Sequence, residues 1–329
     1  MRRGTLILPL LLSISWGSAH AQAPLERLFL FEASPDHVWF KPDDTTRGMT
    51  ANPRGSVLVV DRNPVDAVYM LDSFTGEEKG TLNTEGIAGG MFTVNKIAAS
   101  DNGRIYLCNL STGNNPFKVY YYFDEMSKPF GIFEDPAPGA RWGDDLAVVG
   151  TGSNTKLIVS GSDNTDILVL SDSDGDGKFT AVKQTPINPL IMGTSNLAFD
   201  LDGSHYWIRQ STATRANSHQ FDLATGVGSK SSFASVEGLG PMDIALMDRS
   251  SMMALGPGIV KDVSSAKNEA VIINMDISTI PVWKTDSLSG ATTFQNLNGS
   301  GDVKLNSANR TLHVLYTNNS ISGWRIPRP

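Results

Sequence analysis

From residue 47 onward, short apolar runs alternate with turn residues, and helix-spaced apolar positions are nearly absent. Runs rich in Val, Ile, Tyr, Phe and Leu, set between clusters of Gly, Asn, Asp and Pro, predict β-strands. One unit returns six times: a half-apolar strand, a turn, then a strongly apolar strand. It reads Met49-Thr-Ala-Asn-Pro-Arg-Gly55 before SVLVV, Ile97-Ala-Ala-Ser-Asp-Asn-Gly103 before RIYLC, and Leu146 to Asn154 before TKLIV. It returns as Leu197 to Gly203 before SHYWI, Ile244 to Ser250 before SMMAL, and Val303 to Asn309 before RTLHV. A third strand follows each pair, at 67–71, 117–123, 166–170, 218–221, 269–275 and 320–326.

The copies recur about every 50 residues, the length of a four-stranded propeller blade. The pattern predicts an all-β, six-bladed β-propeller, with seven blades as the alternative if a degenerate copy is hidden. The last copy lacks a fourth strand. Glu26-Arg-Leu-Phe-Leu-Phe-Glu32 supplies one, closing the ring and removing its free sheet edge. A sandwich does not repeat its strands as a group at this interval.

Ahead of the repeats, residues 1–21 predict a signal peptide. Arg2 and Arg3 form a positive start, Leu6 to Trp16 a mostly apolar run, and Ala19-His20-Ala21 a small-x-small cleavage site. The run is shorter than the roughly 20 residues a spanning helix needs. The expected product is a secreted or periplasmic monomer, exported by the general secretory route rather than the twin-arginine one. Residues 22–329 then form one propeller domain, without a membrane span.

Composition narrows the partners. With 27 Lys+Arg against 34 Asp+Glu the formal net charge is −7, which argues against a nucleic-acid binder. The single cysteine, Cys108, excludes an intrachain disulfide framework and a Cys-based zinc or iron–sulfur site, and it reads as a small buried hydrophobe.

Candidate chemistry clusters where the inner strands begin. Arg47, Asn95 with Lys96, Asp144 with Asp145, Asn196, Asp243 and Asp302 recur at about one register, so ring symmetry aims them at the axis. Asp145, Asn196, Asp243 and Asp302 offer the oxygen ligands that Ca²⁺ takes. The other reading is that short polar side chains cap strand starts beside a solvated channel. Arg47 and Asn95 are candidate ligand-binding residues, Arg47 either pairing with the acids or holding an anionic group. Trp39 and Trp142 lie in loops predicted on the same face and are candidates for ligand capture.

A second calcium-like signal is Asp172-Ser-Asp-Gly-Asp-Gly177, with Asp172, Asp174 and Asp176 at the alternating positions of a calcium loop. Lys183 stands where the helical-hand version has a bidentate Glu. Hairpins at Asp72 to Gly76 and Asp222 to Gly226 use the same Asp-to-Gly turn, so an ordinary acidic turn is the alternative. His37 is the candidate general base. His205, His219 and His313 fall in strands of different blades, without metal spacing. There is no G-x-S-x-G elbow, P-loop or H-E-x-x-H.

Four segments resemble an uncharacterised family of secreted bacterial propeller domains: Arg47-Gly-Met-Thr-Ala-Asn-Pro53, Gly86-Ile-Ala-Gly-Gly-Met-Phe92, Asn115-Pro-Phe-Lys-Val-Tyr120 and Arg141-Trp-Gly-Asp-Asp-Leu146. That resemblance implies a propeller and export, with no established activity. More distantly, Ser195-Asn-Leu-Ala-Phe-Asp-Leu-Asp-Gly203 is similar to blades of gluconolactonase and paraoxonase-type six-bladed propellers. This implies axial metal ligands at Asn196 and Asp243, with Arg47 standing where those enzymes place a glutamate.

Two functions follow as expectations. One is a non-catalytic propeller that binds a protein, glycan or small ligand on its channel face. The alternative is a Ca²⁺-dependent lactonase or esterase-like hydrolase, with Asp145, Asn196, Asp243 and Asp302 holding the ion and His37 moving the proton. A purely structural module of a cell-envelope assembly is the third reading.

Overall fold

The computed structural model describes residues 23–328, apart from 44, 163, 173–175, 188–195, 210–217, 233–238, 258–267, 278–279, 290–293 and 296–300. The leader at 1–21 and Asp174 therefore lie outside the described residues.

Six sheets form a ring, each built on four antiparallel strands that are consecutive in five blades and drawn from distant parts of the chain in the sixth. Blade 1 is Gly48–Asn52, Ser56–Asp61, Ala67–Asp72 and Glu78–Thr81. Blade 2 is Phe92–Ala99, Ile105–Leu110, Phe117–Tyr122 and Phe130–Asp135. Blade 3 is Asp145–Val149, Lys156–Ser160, Ile167–Ser171 and Thr180–Gln184. Blade 4 is Asn196–Phe199, His205–Arg209, Ser218–Asp222 and Gly228–Ser232. Blade 5 is Leu239–Met247, Ser250–Pro257, Val271–Asn274 and Pro281–Lys284. Blade 6 combines Gly301–Asn306, Thr311–Tyr316 and Ser320–Arg325 with Glu26–Glu32 from the other end of the chain.

The first strand of each blade is innermost, and consecutive inner strands touch all round the ring, blade 6 against blade 1 included. Their second strands are almost wholly buried because apolar side chains on both sheet faces pack against neighbouring blades. The core is accordingly divided into apolar clusters, most of them wedged between successive blades. Cys108 sits in one of them, fully buried, and burial pushes its thiol up to about 12, as suits a packing residue.

Glu26–Glu32 pairs antiparallel with Ser320–Arg325, closing the wheel with the segment read from the sequence. Phe29 seats this strand. A Cβ on Gly76 or Gly323 would come within 2.5 or 2.4 Å of its ring, so both glycines provide its seat. Just upstream, Ala23–Pro24 adds a parallel fifth strand to the outer edge of blade 5.

The propeller has two axial faces. The lead-in face carries the starts of the inner strands and the links between second and third strands. The hairpin face carries the turns between first and second strands, such as the one joining Asn52 to Ser56. Among the described residues, no helix is long and apolar enough to cross a membrane.

Candidate functional site

Strand register fixes which residues share a level at the hub. Gly48, Lys96, Asp145, Asn196 and Asp302 occupy one column, each preceding an apolar residue that pairs into its blade, whereas Asp243 caps Leu305 and so stands two residues further along. Arg47, Asn95 and Asp144 stand one residue earlier. A glycine, not Arg47, is thus the hub residue of blade 1, and its lack of a side chain matters. A Cβ there would lie 3.0 Å from Lys96 Cδ and from the Asn95 carbonyl oxygen. Lys96 uses that gap to cross blade 1 and reach blade 6, donating to the Gly301 carbonyl at 3.1 Å and approaching Asp302 Oδ2 at 3.6 Å.

Two residues further along each inner strand, side chains point the same way because strand periodicity is two. That second column reads Thr50, Ala98, Ala147, Ala198, Asp243 and Lys304. Lys304 is its single cation, with its ammonium 3.6 Å from Asp302 Oδ1 and 3.9 Å from Asp243 Oδ1. Burial opposes that charge, yet Asp302, Asp243 and Asp145 together hold the ammonium above its ordinary range. Two lysines therefore face three hub carboxylates.

The carboxylates have a second task. An inner strand pairs on one side only, leaving its other edge of N–H and C=O groups toward the axis. Side chains of one blade cap the next blade at every step of the ring. Thr50 Oγ1 accepts from Ala99 N at 3.0 Å, Asp145 Oδ2 from Leu197 N at 2.6 Å, and Asp243 Oδ2 from Leu305 N at 2.7 Å. Asp302 Oδ2 accepts from Met49 N at 3.1 Å, closing blade 6 onto blade 1. Asn95 Nδ2 donates to the Gly143 carbonyl, and buried Arg209 donates through Nε to the Leu239 carbonyl at 2.8 Å.

As placed, these oxygens do not fit Ca²⁺. Asp145 and Asp302 each spend both oxygens on backbone N–H groups, and an ion beside Asp302 or Asp243 would stand against one or both lysine ammoniums. Asn196 turns inward to its own blade, donating to the Arg209 carbonyl at 3.1 Å. Among the described residues, no three His, Cys, Asp or Glu side chains gather as a metal would require. At the 172–177 hairpin, Asp172 accepts from Gly177 N at 3.1 Å and Asp176 from Lys178 N at 2.7 Å, which are turn bonds.

The tryptophans differ from their predicted role. Trp39 is 1% exposed, stacked on Tyr69 at 4.1 Å and 7°, with its Nε1 donating to Glu78. Trp142 is 0% exposed and packs between blades 2 and 3. Both side chains serve the core because a large ring in a loop beside a blade seam buries more apolar surface than it could expose to a ligand. His37 follows Trp39 outward: its Nε2 lies 3.4 Å from Glu78 on the outer strand of blade 1, away from the axis.

Beyond the second column the channel widens into a cleft of about 310 Å³ that opens on the hairpin face. Asp243 and Lys304 lie at its inner end, and Ser100, Asp101, Asp200 and Ser307 at its mouth. The sequence pointed instead to the lead-in mouth. Lys304 was legible as one lysine among small residues in an aligned column. Arg209 and the cleft had no comparable signal.

Burial in the channel raises the Asp243 carboxyl from 3.8 to about 6, with Lys304 and the Leu305 N–H opposing the rise. Asp145 is raised for the same reason. The native state thus binds the Asp243 proton more tightly than the unfolded chain, so stability falls as pH rises from about 4 to about 6. The full effect is about 3 kcal/mol, and less here because the side chain keeps 22% of its surface. Thermal unfolding is expected a few degrees higher at pH 5 than at pH 8. Asp243→Asn should flatten that difference; an unchanged pH profile in this variant would refute the assignment.

No family model matches the chain, and no curated protein does. Among solved structures it is similar to a DUF4623 family protein from Bacteroides eggerthii DSM 20697, determined at 1.91 Å. The TM-score is 0.64 at 19% identity, covering 92% of this chain and 78% of that one. The likeness is one of fold. It agrees with the resemblance to an uncharacterised propeller family and carries no activity with it.

Proposed function

We propose that this chain is a secreted or periplasmic, non-catalytic binding propeller whose axial cleft takes a small polar ligand, such as the terminal sugar of a glycan. The observation that carries the reading is the cleft itself: about 310 Å³ at the wheel's axis, with hydroxyls and carboxylates around its mouth. Strand edges facing the axis add backbone donors and acceptors, the mixture a polyhydroxyl ligand uses. The hub carboxylates, already committed to N–H groups and lysines, support binding over metal-assisted hydrolysis.

Ala245 lines the cleft, so Ala245→Phe would place a ring inside it. Calorimetry against a panel of neutral monosaccharides is expected to find saturable binding that this variant weakens about tenfold. Binding indifferent to the added ring, or none with any sugar, would count against the cleft. Chelator-treated protein should give no heat with Ca²⁺. A stoichiometric heat that Asp243→Asn abolishes would restore the hydrolase reading.

A further inference from the structure

Three arginines meet on the lead-in face beside blades 1 to 3. Arg47 precedes the first inner strand, Arg62 follows Ser56–Asp61, and Arg141 leads into blade 3. Two carboxylates stand among them: Asp144 neutralises Arg141, and Asp66 is turned to Thr93. Asp144 takes Arg141 in a two-pronged pair at 2.6 Å on both oxygens and also accepts the Ser162 N–H at 2.6 Å. Asp66 accepts the N–H and hydroxyl of Thr93 at 3.0 and 2.5 Å.

Arg62 is held by neutral groups. Its Nε donates to the Val94 carbonyl at 3.4 Å, its Nη2 donates to Asn95 Oδ1, and its guanidinium lies 3.7 Å over the Phe92 ring. Asn95 is itself fixed through its bond to Gly143. Among the described residues Arg62 forms no ion pair, and its Nη1 bonds to no protein group. Burial, with Arg47 and Arg141 adding like charge, lowers its pKa to about 9, while Asp66 and Asp144 oppose the change only from a distance. A guanidinium that is oriented, partly desolvated and crowded by like charge is relieved by an oxyanion, which its fork binds with charge-assisted hydrogen bonds. Apolar surface adjoins it: Val65 is 62% exposed, Met91 52% and Phe92 36%. That surface suits an anionic group carried on a ring with an apolar face.

We propose that Arg62, supported by Arg47, forms a second binding site for a ligand bearing an oxyanion, either the carboxylate of an acidic sugar or a phosphate group. This site lies at the opposite end of the axis from the cleft and does not depend on it. The probes are galacturonate, inorganic phosphate and neutral galactose, titrated calorimetrically into the full chain at low ionic strength.

At least one anion is expected to bind saturably, with affinity falling as salt rises. Arg62→Gln should weaken it about tenfold, while whatever galactose does in the cleft stays unchanged. The tighter of the two anions assigns the source, sugar acid or phosphate. Absence of saturable anion binding by the unaltered chain overturns the proposal, as does equal affinity in Arg62→Gln. Should Arg62→Gln fail to fold by circular dichroism, Arg47→Gln at the half-buried neighbour decides. A loss of about threefold supports the site, and no change overturns it.

Discussion

Asp302→Ala is expected to cost about 3–5 kcal/mol, the range for breaking a buried charge network from one side. This carboxylate is 4% exposed and serves four partners: Met49 N and Val303 N by hydrogen bond, Lys96 and Lys304 by charge. Its removal leaves two ammoniums at the hub with fewer counter-charges and uncaps an inner-strand N–H where blade 6 meets blade 1. Against a total stability of roughly 5–15 kcal/mol, that is about a fifth or more. Urea unfolding measures it. Asp302→Asn keeps an acceptor for Met49 but loses the charge, so it should fall between. Glu85→Ala is the control, because the Lys128–Glu85 pair is 70% exposed on both sides, where water and salt screen it. If Asp302→Ala costs no more than that control, the hub network is not what holds the ring.

The closing strand should matter comparably. Phe29→Ala empties the seat between Gly76 and Gly323 and is expected to cost about 3–5 kcal/mol. Deleting residues 23–32 goes further. It strips blade 6 of its outer strand and exposes the edge of Ser320–Arg325, so loss of cooperative melting and concentration-dependent association are expected by calorimetry and light scattering. A deletion variant that stays monomeric and melts at the full-chain temperature would show the seal to be dispensable.

Much of this architecture is written in periodicity. Six copies about 50 residues apart announce the blades, and the apolar alternation of Glu26 to Glu32 announces the strand that completes the sixth. Single positions were harder. Arg47 looked equivalent to Asp145 because a polar or charged residue stands at each inner-strand entry, but register places Gly48 at the hub. A glycine's contribution there is the space it gives to Lys96, which no reading of residue type reveals. The hub acids were legible as a recurring register of short polar residues. Their partners were not, since an Asp that caps a neighbouring strand and an Asp that awaits a cation have the same letter. Trp39 and Trp142 show the same ambiguity in loops, where burial depends on how the chain folds back. Arg62 lies in an unremarkable turn, and only three-dimensional crowding distinguishes it.

The pairing of Glu26 with Arg325 also bears on how the chain reaches its native state. These partners lie about 300 residues apart, so the seal carries the largest loop-closure entropy in the molecule. Glu26–Glu32 has no mate until Ser320–Arg325 exists. Five blades can assemble from local hairpins while the first residues wait unpaired, and the final snap of the circle should be the slow event in refolding.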